Sequence, residues 1–329
     1  MELCNEARAL LPAHGSNATR TWTRWMNQLT HNLQHKCQEI DTKGRLWAPL
    51  VFVWPENSWP SRSHLELMAA DKDWEATWLP VLNQPKYGPL GVRRYALPKS
   101  LGTTQLDRVQ HAWVFFAMMQ VTGLSFAELG LVFEFGAGTG QMASVLHDLA
   151  VPCRHVVYDL PPMLLTQRHW CQKVGVAVRT LGRDVEKTDA ARCVHQTVQT
   201  RRLSDAAELL PDGGTVTHGP SSLFVATYSF TEADLDTRAQ IVQMTRHFGR
   251  MYLMFALTAW DGIDTLGYMR DWLSSSLGHT HRVCTWKHGA RGLQLAAVGR
   301  GAVARARCRP SVGCTEKTLH RNLSADCVL

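Results

Sequence analysis

From Leu131 to Gly299 the sequence alternates short apolar runs with stretches of helical period, and this constrains the fold more than any other feature. "LVFEF" is followed by "GQMASVLHDLA", in which Met142, Val145, Leu146 and Leu149 share a face. "HVVYDL" is followed by "PPMLLTQRHWCQKVG", whose prolines suit a first helical turn. "VAVRTL", "SDAAELLPDGG" and "SLFVATYSF" continue the pattern. In "TEADLDTRAQIVQMTRHFG", Thr231 is read as the N-cap and Gly249 as the stop. "RMYLMFAL" and the helix "MRDWLSSSLG" precede a closing strand pair, "THRVCTWKHG" and "LQLAAVGR". Apolar strands joined through helices run parallel and are covered on both faces. The expectation is an α/β domain over residues 126–300, with a parallel sheet covered on both faces and a closing strand pair.

Residues 1–125 read differently. They hold eight of the twelve tryptophans, and "NATRTWTRWMNQLTHNLQHKCQEI" and "TTQLDRVQHAWVFFAMMQVTGL" have helical spacing. Asn17 is a candidate cap for the first, and Thr103 or Thr104 for the second, which Gly123 can end. "PLGVRRYALPKSLG" reads as loop, and no strand alternation is seen. This region is expected to be mostly helical and to lie over the α/β domain as a lid.

The chain has 329 residues, 45% of them hydrophobic and 19% charged, as in ordinary folded domains. No apolar run reaches the roughly 18 residues of a membrane span. The first residues lack a basic stretch followed by an apolar one, so no secretory signal is expected and a cytoplasmic location is. Nine cysteines without a CxxC pair argue against a zinc site and a disulfide framework, and no metal is expected. Of the net charge of +7, three units come from residues 301–329, read as a loose basic tail. Elsewhere basic residues are dispersed, which speaks against a nucleic-acid partner. Nothing in the sequence sets the oligomeric state.

The chemistry is concentrated after the first strand of the alternation, in "FEFGAGTGQ". Gly136, Gly138 and Gly140 permit a tight turn and close approach of backbone to a ligand. The spacing is G-x-G-x-G, whereas the dinucleotide fingerprint is G-x-G-x-x-G. Asp159 ends the second strand about twenty residues further on, where an acid can take ribose hydroxyls. Glu134 stands two residues before the first glycine, an acid in an apolar strand that needs a partner if buried.

"FEFGAGTG" resembles motif I of the class I S-adenosylmethionine-dependent methyltransferases, and "VVYDL" resembles their second motif. The terminal strand pair is similar to the reversed hairpin of their seven-stranded, Rossmann-like sheet. More narrowly, "EFGAGTGQMA", "VVYDLPPMLLTQRHW" and "LFVATYSFTE" resemble the sugar O-methyltransferases over roughly residues 105 to 260. The resemblance implies S-adenosyl-L-methionine as cofactor and a small-molecule or sugar-like acceptor methylated on a hydroxyl oxygen. It implies a cofactor seat at Glu134, Gly136, Ala137, Gly138, Gly140, Asp159 and Leu160. Asp184, after the third strand, and Thr227, at the end of the fourth, are further candidates for it.

The acceptor side is expected around Tyr228, Ser229 and Glu232, with Trp260 in a later loop. A hydroxyl acceptor needs its proton removed. Glu232, His218 and His111 are the candidate bases, although Glu232 also suits a helix's first turn and either histidine could be plain packing. Three alternatives stay open from the residues alone: a non-catalytic cofactor-binding protein, a nucleic-acid methyltransferase, and an NAD-dependent oxidoreductase.

Overall fold

The computed structural model describes residues 20–36, 61–83, 94–98, 100, 102–181, 194–198, 218–256, 262–277, 280–288 and 292–299. Helix α1 (Arg20–His35) buries Met26, Leu29 and Leu33, which recur at helical spacing. Helix α2 (Ser61–Ala69) leads through a π-helical turn, Trp74–Trp78, into the short α3 (Leu79–Leu82). Strands β1 (Arg94–Ala96) and β2 (Thr103–Gln105) pair antiparallel as a small separate sheet. Thr103 and Thr104 therefore belong to a strand, and Gln105 takes the N-cap position of α4 (Leu106–Thr122). Gly123 ends α4 in the left-handed conformation at φ 67°, its N–H bonding Met119 O at 3.0 Å. Helix α4 is buried nearly all round.

The main sheet then builds up. Strand β3 (Leu131–Phe135) leads to α5 (Gln141–Asp148), and β4 (Arg154–Tyr158) to α6 (Pro161–Lys173). Strands β5 (Val178–Leu181), β6 (Val194–Val198) and β7 (His218–Thr227) follow. The short α7 (Ser229–Glu232) precedes α8 (Leu235–Thr245) and β8 (Phe248–Ala256). Helix α9 (Thr265–Trp272) precedes β9 (His281–His288) and β10 (Gly292–Gly299). The strand order is β5-β6-β4-β3-β7-β8-β10-β9. The first six are parallel, and β10 is antiparallel to both neighbours. This is a Rossmann-like α/β fold with an antiparallel terminal hairpin.

Among the described residues the sheet has eight strands rather than seven. The additional one, β6, lies between β4 and β5 and displaces β5 to the edge. Its segment "VHQTV" has no apolar run, and only its β-branched Val194, Thr197 and Val198 signal a strand. Two further corrections concern helix ends. Asp234, not Thr231, caps α8, accepting from Thr237 N at 2.7 Å, and Gly249 lies within β8 rather than ending a helix. "RYA", within a segment read as loop, is β1.

Strand alternation divides the core in two. On one face Val132, Leu223, Val225, Tyr252, Met254 and Ala296 pack with α4 and α5. That cluster also includes Leu65, Trp74, Trp78 and Leu82, so α2, the π-helical turn and α3 share a core with the sheet. On the other face Phe133, Phe224, Met251 and Phe255 pack with Phe230, Ile241 and Trp272. Free cysteines are buried at Cys153 and Cys171, and Cys284 is disulfide-bonded.

Candidate functional site

Strand order reverses about β3, which has β4 on one side and β7 on the other. A crevice therefore opens beyond their carboxyl ends, where ligands bind in open parallel sheets. The glycine turn sits at this point. Gly136, Gly138 and Gly140 adopt φ of 73°, 56° and 82°. A Cβ on Gly136 would lie 2.3 Å from Ser229 Cβ, so this position admits only glycine. A Cβ on Gly138 would meet nothing within 4 Å, which leaves its backbone open to approach.

Asp159 fixes the turn. Its Oδ2 accepts from Gly138 N at 3.1 Å and from Gln167 Nε2 at 2.8 Å, and its Oδ1 accepts from Leu160 N at 2.7 Å. Gln167, fully buried on α6, also donates to Gly138 O at 3.0 Å. Gly138 is thus held by both its N–H and its carbonyl. Leu160 occupies the N-cap position of α6, and Ala137 packs with Val157 and Leu164. Burial raises the Asp159 carboxyl to about 7, opposed by the Leu160 N–H, with nearby Glu134 adding to the rise.

Glu134 lies beneath the turn, fully buried. Its Oε2 is 3.0 Å from Nε2 of His155, itself fully buried on β4. Its Oε1 makes no hydrogen bond and lies 3.9 Å from His111 Nε2. Nδ1 of His111 is 2.7 Å from Asp107 O, one helical turn back on α4. A carbonyl can only accept, so Nδ1 carries the proton and the neutral ring turns an acceptor toward Glu134. Desolvation raises the Glu134 carboxyl to about 7 and pushes His155 down to about 3. It lowers His111 as well, against the pull of Glu134.

On the β7 side, Thr227 ends the strand and Tyr228 takes φ 65° and ψ −32°, a conformation non-glycine residues rarely adopt. Such strain persists where its surroundings hold it, and it gathers at functional sites. Here Tyr228 N donates to Met254 O at 2.6 Å, and Ser229 Oγ donates to Phe135 O. Glu232, at the end of α7, is 6% exposed. Its charge, after burial, raises the Tyr228 hydroxyl. Arg238 braces this segment from α8, donating to Ala233 O, Thr231 O and Thr265 Oγ1 while lying over the Phe230 and Tyr268 rings.

The structure therefore gathers Glu134, Gly136, Ala137, Gly138, Gly140, Asp159, Leu160, Thr227, Tyr228, Ser229 and Glu232 about the carboxyl ends of β3, β4 and β7, with His111 against Glu134. It does not bring His218 there, because His218 opens β7 at the opposite end of the strand. Asp184, Trp260, Asn17, the segment "SDAAELLPDGG" and residues 301–329 lie outside the described residues. Sequence reasoning missed His155, Gln167, Arg108 and Arg238. Arg108, 1% exposed, ties α4 to α3 and α5 through Val81 O, Ser144 Oγ and Asp148. Among the described residues no group of His, Cys, Asp and Glu is arranged to hold a metal, and no helix is long and apolar enough to cross a membrane.

As a set of acceptors the crevice suits a ligand with a diol and a cationic end. Asp159 Oδ1 has a lone pair left beside its single bond, and Glu134 Oε1 is a buried acceptor without a donor. No family model matches the chain, and no curated protein matches it. Solved structures similar to it include a SAM dependent methyltransferase from Aquifex aeolicus, at 9% identity over 55% of this chain and 92% of that one, TM-score 0.36. Another is the N-methyltransferase NodS from Bradyrhizobium japonicum WM9, at 13% identity over 59% and 96%, TM-score 0.36. A third is magnesium protoporphyrin IX methyltransferase (ChlM) from Synechocystis PCC 6803, at 16% identity over 59% and 81%, TM-score 0.37.

Proposed function

We propose that this chain is an S-adenosylmethionine-dependent methyltransferase acting on a hydroxyl oxygen of a small-molecule or sugar-like acceptor. The observation that carries the reading is Asp159, at the carboxyl end of β4, bonded to the N–H of the central glycine of a G-x-G-x-G turn at the switch point of the sheet. The cofactor, when bound, supplies an electrophilic methyl group on a sulfonium. Asp159 would take the ribose hydroxyls, and the Gly136–Gly140 backbone would lie against the adenosyl group. Glu134 would face the cationic end. The orphan Oε1 of Glu134 and the open space at Gly138 both fit such a ligand.

Methyl transfer to oxygen is an in-line displacement, for which positioning supplies much of the rate. The N-terminal region 1–125 would cover the acceptor, and Tyr228 and Ser229 would line its site. Of the three candidate bases, Glu232 is the one we assign. His218 is at the wrong end of β7, and His111 is engaged at Nδ1 and faces Glu134 at Nε2. Glu232 stands beside strained Tyr228 at the crevice.

Transfer of labelled methyl groups from S-adenosylmethionine to a panel of polyols, sugars, phenols and amines tests the assignment. Transfer to a hydroxyl compound is expected, reduced by about a hundredfold or more in Glu232→Gln with cofactor affinity unchanged. Transfer to amines alone, or full activity of Glu232→Gln, overturns it.

A further inference from the structure

The glycine turn and Asp159 explain how an adenosyl group could be seated, but they leave a buried cluster beneath it unexplained. Glu134 and His155 are both fully buried on adjacent parallel strands, with Glu134 beside Val157 and His155 one strand repeat earlier on the same face. A buried carboxyl free to rotate would place either oxygen anywhere in its arc. His155 prevents this, because the 3.0 Å contact engages Oε2 alone. One proton lies between the two groups, whichever of them carries it.

The consequence is an orientation. Oε1 is left without a hydrogen bond, and His111 Nε2 stands 3.9 Å from it. Since Nδ1 of His111 holds its proton toward Asp107 O, these two atoms are both acceptors. Two buried acceptors facing each other without a donor are unfavourable, and an ammonium group, with several N–H bonds, can satisfy both at once.

We propose that His155 is a positioning residue, holding Glu134 by one oxygen so that the other, with His111 Nε2, forms a paired acceptor for the ammonium group of the bound methyl donor. This rests on the methyl-donor reading above. Mutation of His155 should therefore affect ligands that carry the amino-acid end and spare those that lack it. A residue that merely supported the fold would affect both alike.

The test compares S-adenosylhomocysteine with methylthioadenosine, which keeps the adenosyl group and lacks the amino acid. Calorimetry is run on the full chain and on two variants, His155→Met, which fills the space without a donor, and His155→Gln, whose amide can still bond Glu134. His155→Met is expected to lose about tenfold or more in affinity for S-adenosylhomocysteine and to keep its affinity for methylthioadenosine. His155→Gln is expected to restore most of the difference. Equal losses for both ligands, or no loss for either, overturn the proposal. Nitrogen-labelled histidine spectra of the wild type decide the matter should His155→Met not fold. S-adenosylhomocysteine, but not methylthioadenosine, should then shift the His111 and His155 Nε2 resonances, and identical shifts with both ligands refute it. Wild-type protein that binds neither ligand removes the methyl-donor reading itself.

Discussion

Replacing Glu134 by glutamine should stabilise the ligand-free protein at neutral pH, and the size of the effect follows from the site. The side chain is fully buried, its only hydrogen bond is to neutral His155, and desolvation raises its carboxyl from 4.5 to about 7. A raised carboxyl contributes stability that is fully present below its unfolded pKa and lost as pH rises through the folded one. At about 1.4 kcal/mol per unit, ionising Glu134 above pH 7 costs roughly 3 kcal/mol. His155 works in the opposite direction. Its pKa falls from 6.5 to about 3, so its contribution is present above 6.5 and lost as pH falls through 3. The two partly cancel in the wild-type profile, which makes the difference between wild type and Glu134→Gln the informative quantity. Urea unfolding of both proteins, from about pH 4.5 to about pH 8, measures it. The variant should match the wild type at the acid end and exceed it by about 3 kcal/mol at the alkaline end. A difference that stays constant across the range would refute the assignment of a buried, charge-averse carboxyl to Glu134.

Two structural substitutions follow from the same geometry. Arg108→Leu leaves Val81 O and Ser144 Oγ without their buried donor and Asp148 without its cation, and should lower stability by about 3 kcal/mol, read as a lower urea midpoint at unchanged m. Gly136→Ala forces a Cβ to within 2.3 Å of Ser229 Cβ at a φ of 73°, and should displace α7, costing at least about 2 kcal/mol by thermal unfolding.

The parallel sheet was legible because strands buried on both faces, such as Leu131–Phe135 and Phe248–Ala256, are apolar nearly throughout. The glycine turn was legible because its left-handed backbone conformations restrict the residue type. Strand β6 was not, since its Val-His-Gln-Thr-Val segment carries no apolar run. Nor were the partners of the site's acids. Glu134 could be recognised as needing a partner, but His155 becomes that partner only through the register of β3 against β4. Likewise nothing in the sequence sets Arg108 and Arg238 apart from other cations, and only the packing of α4 and α8 shows what carbonyls they bind. The Gln294 amide, which receives both Trp113 Nε1 and Tyr252 OH in the core, has no sequence signal at all.

The central claim is that the Gly136–Gly140 turn and Asp159 seat an adenosyl methyl donor. Calorimetry with S-adenosylhomocysteine tests it most directly. The wild type should bind, and Asp159→Ala, which removes the proposed acceptor for the ribose and the anchor of Gly138 N, should bind at least about tenfold more weakly. Gly138→Val, which places a β-branched residue at φ 56°, should abolish binding while the protein stays folded. No heat with the wild type, or undiminished binding by both variants, would contradict it.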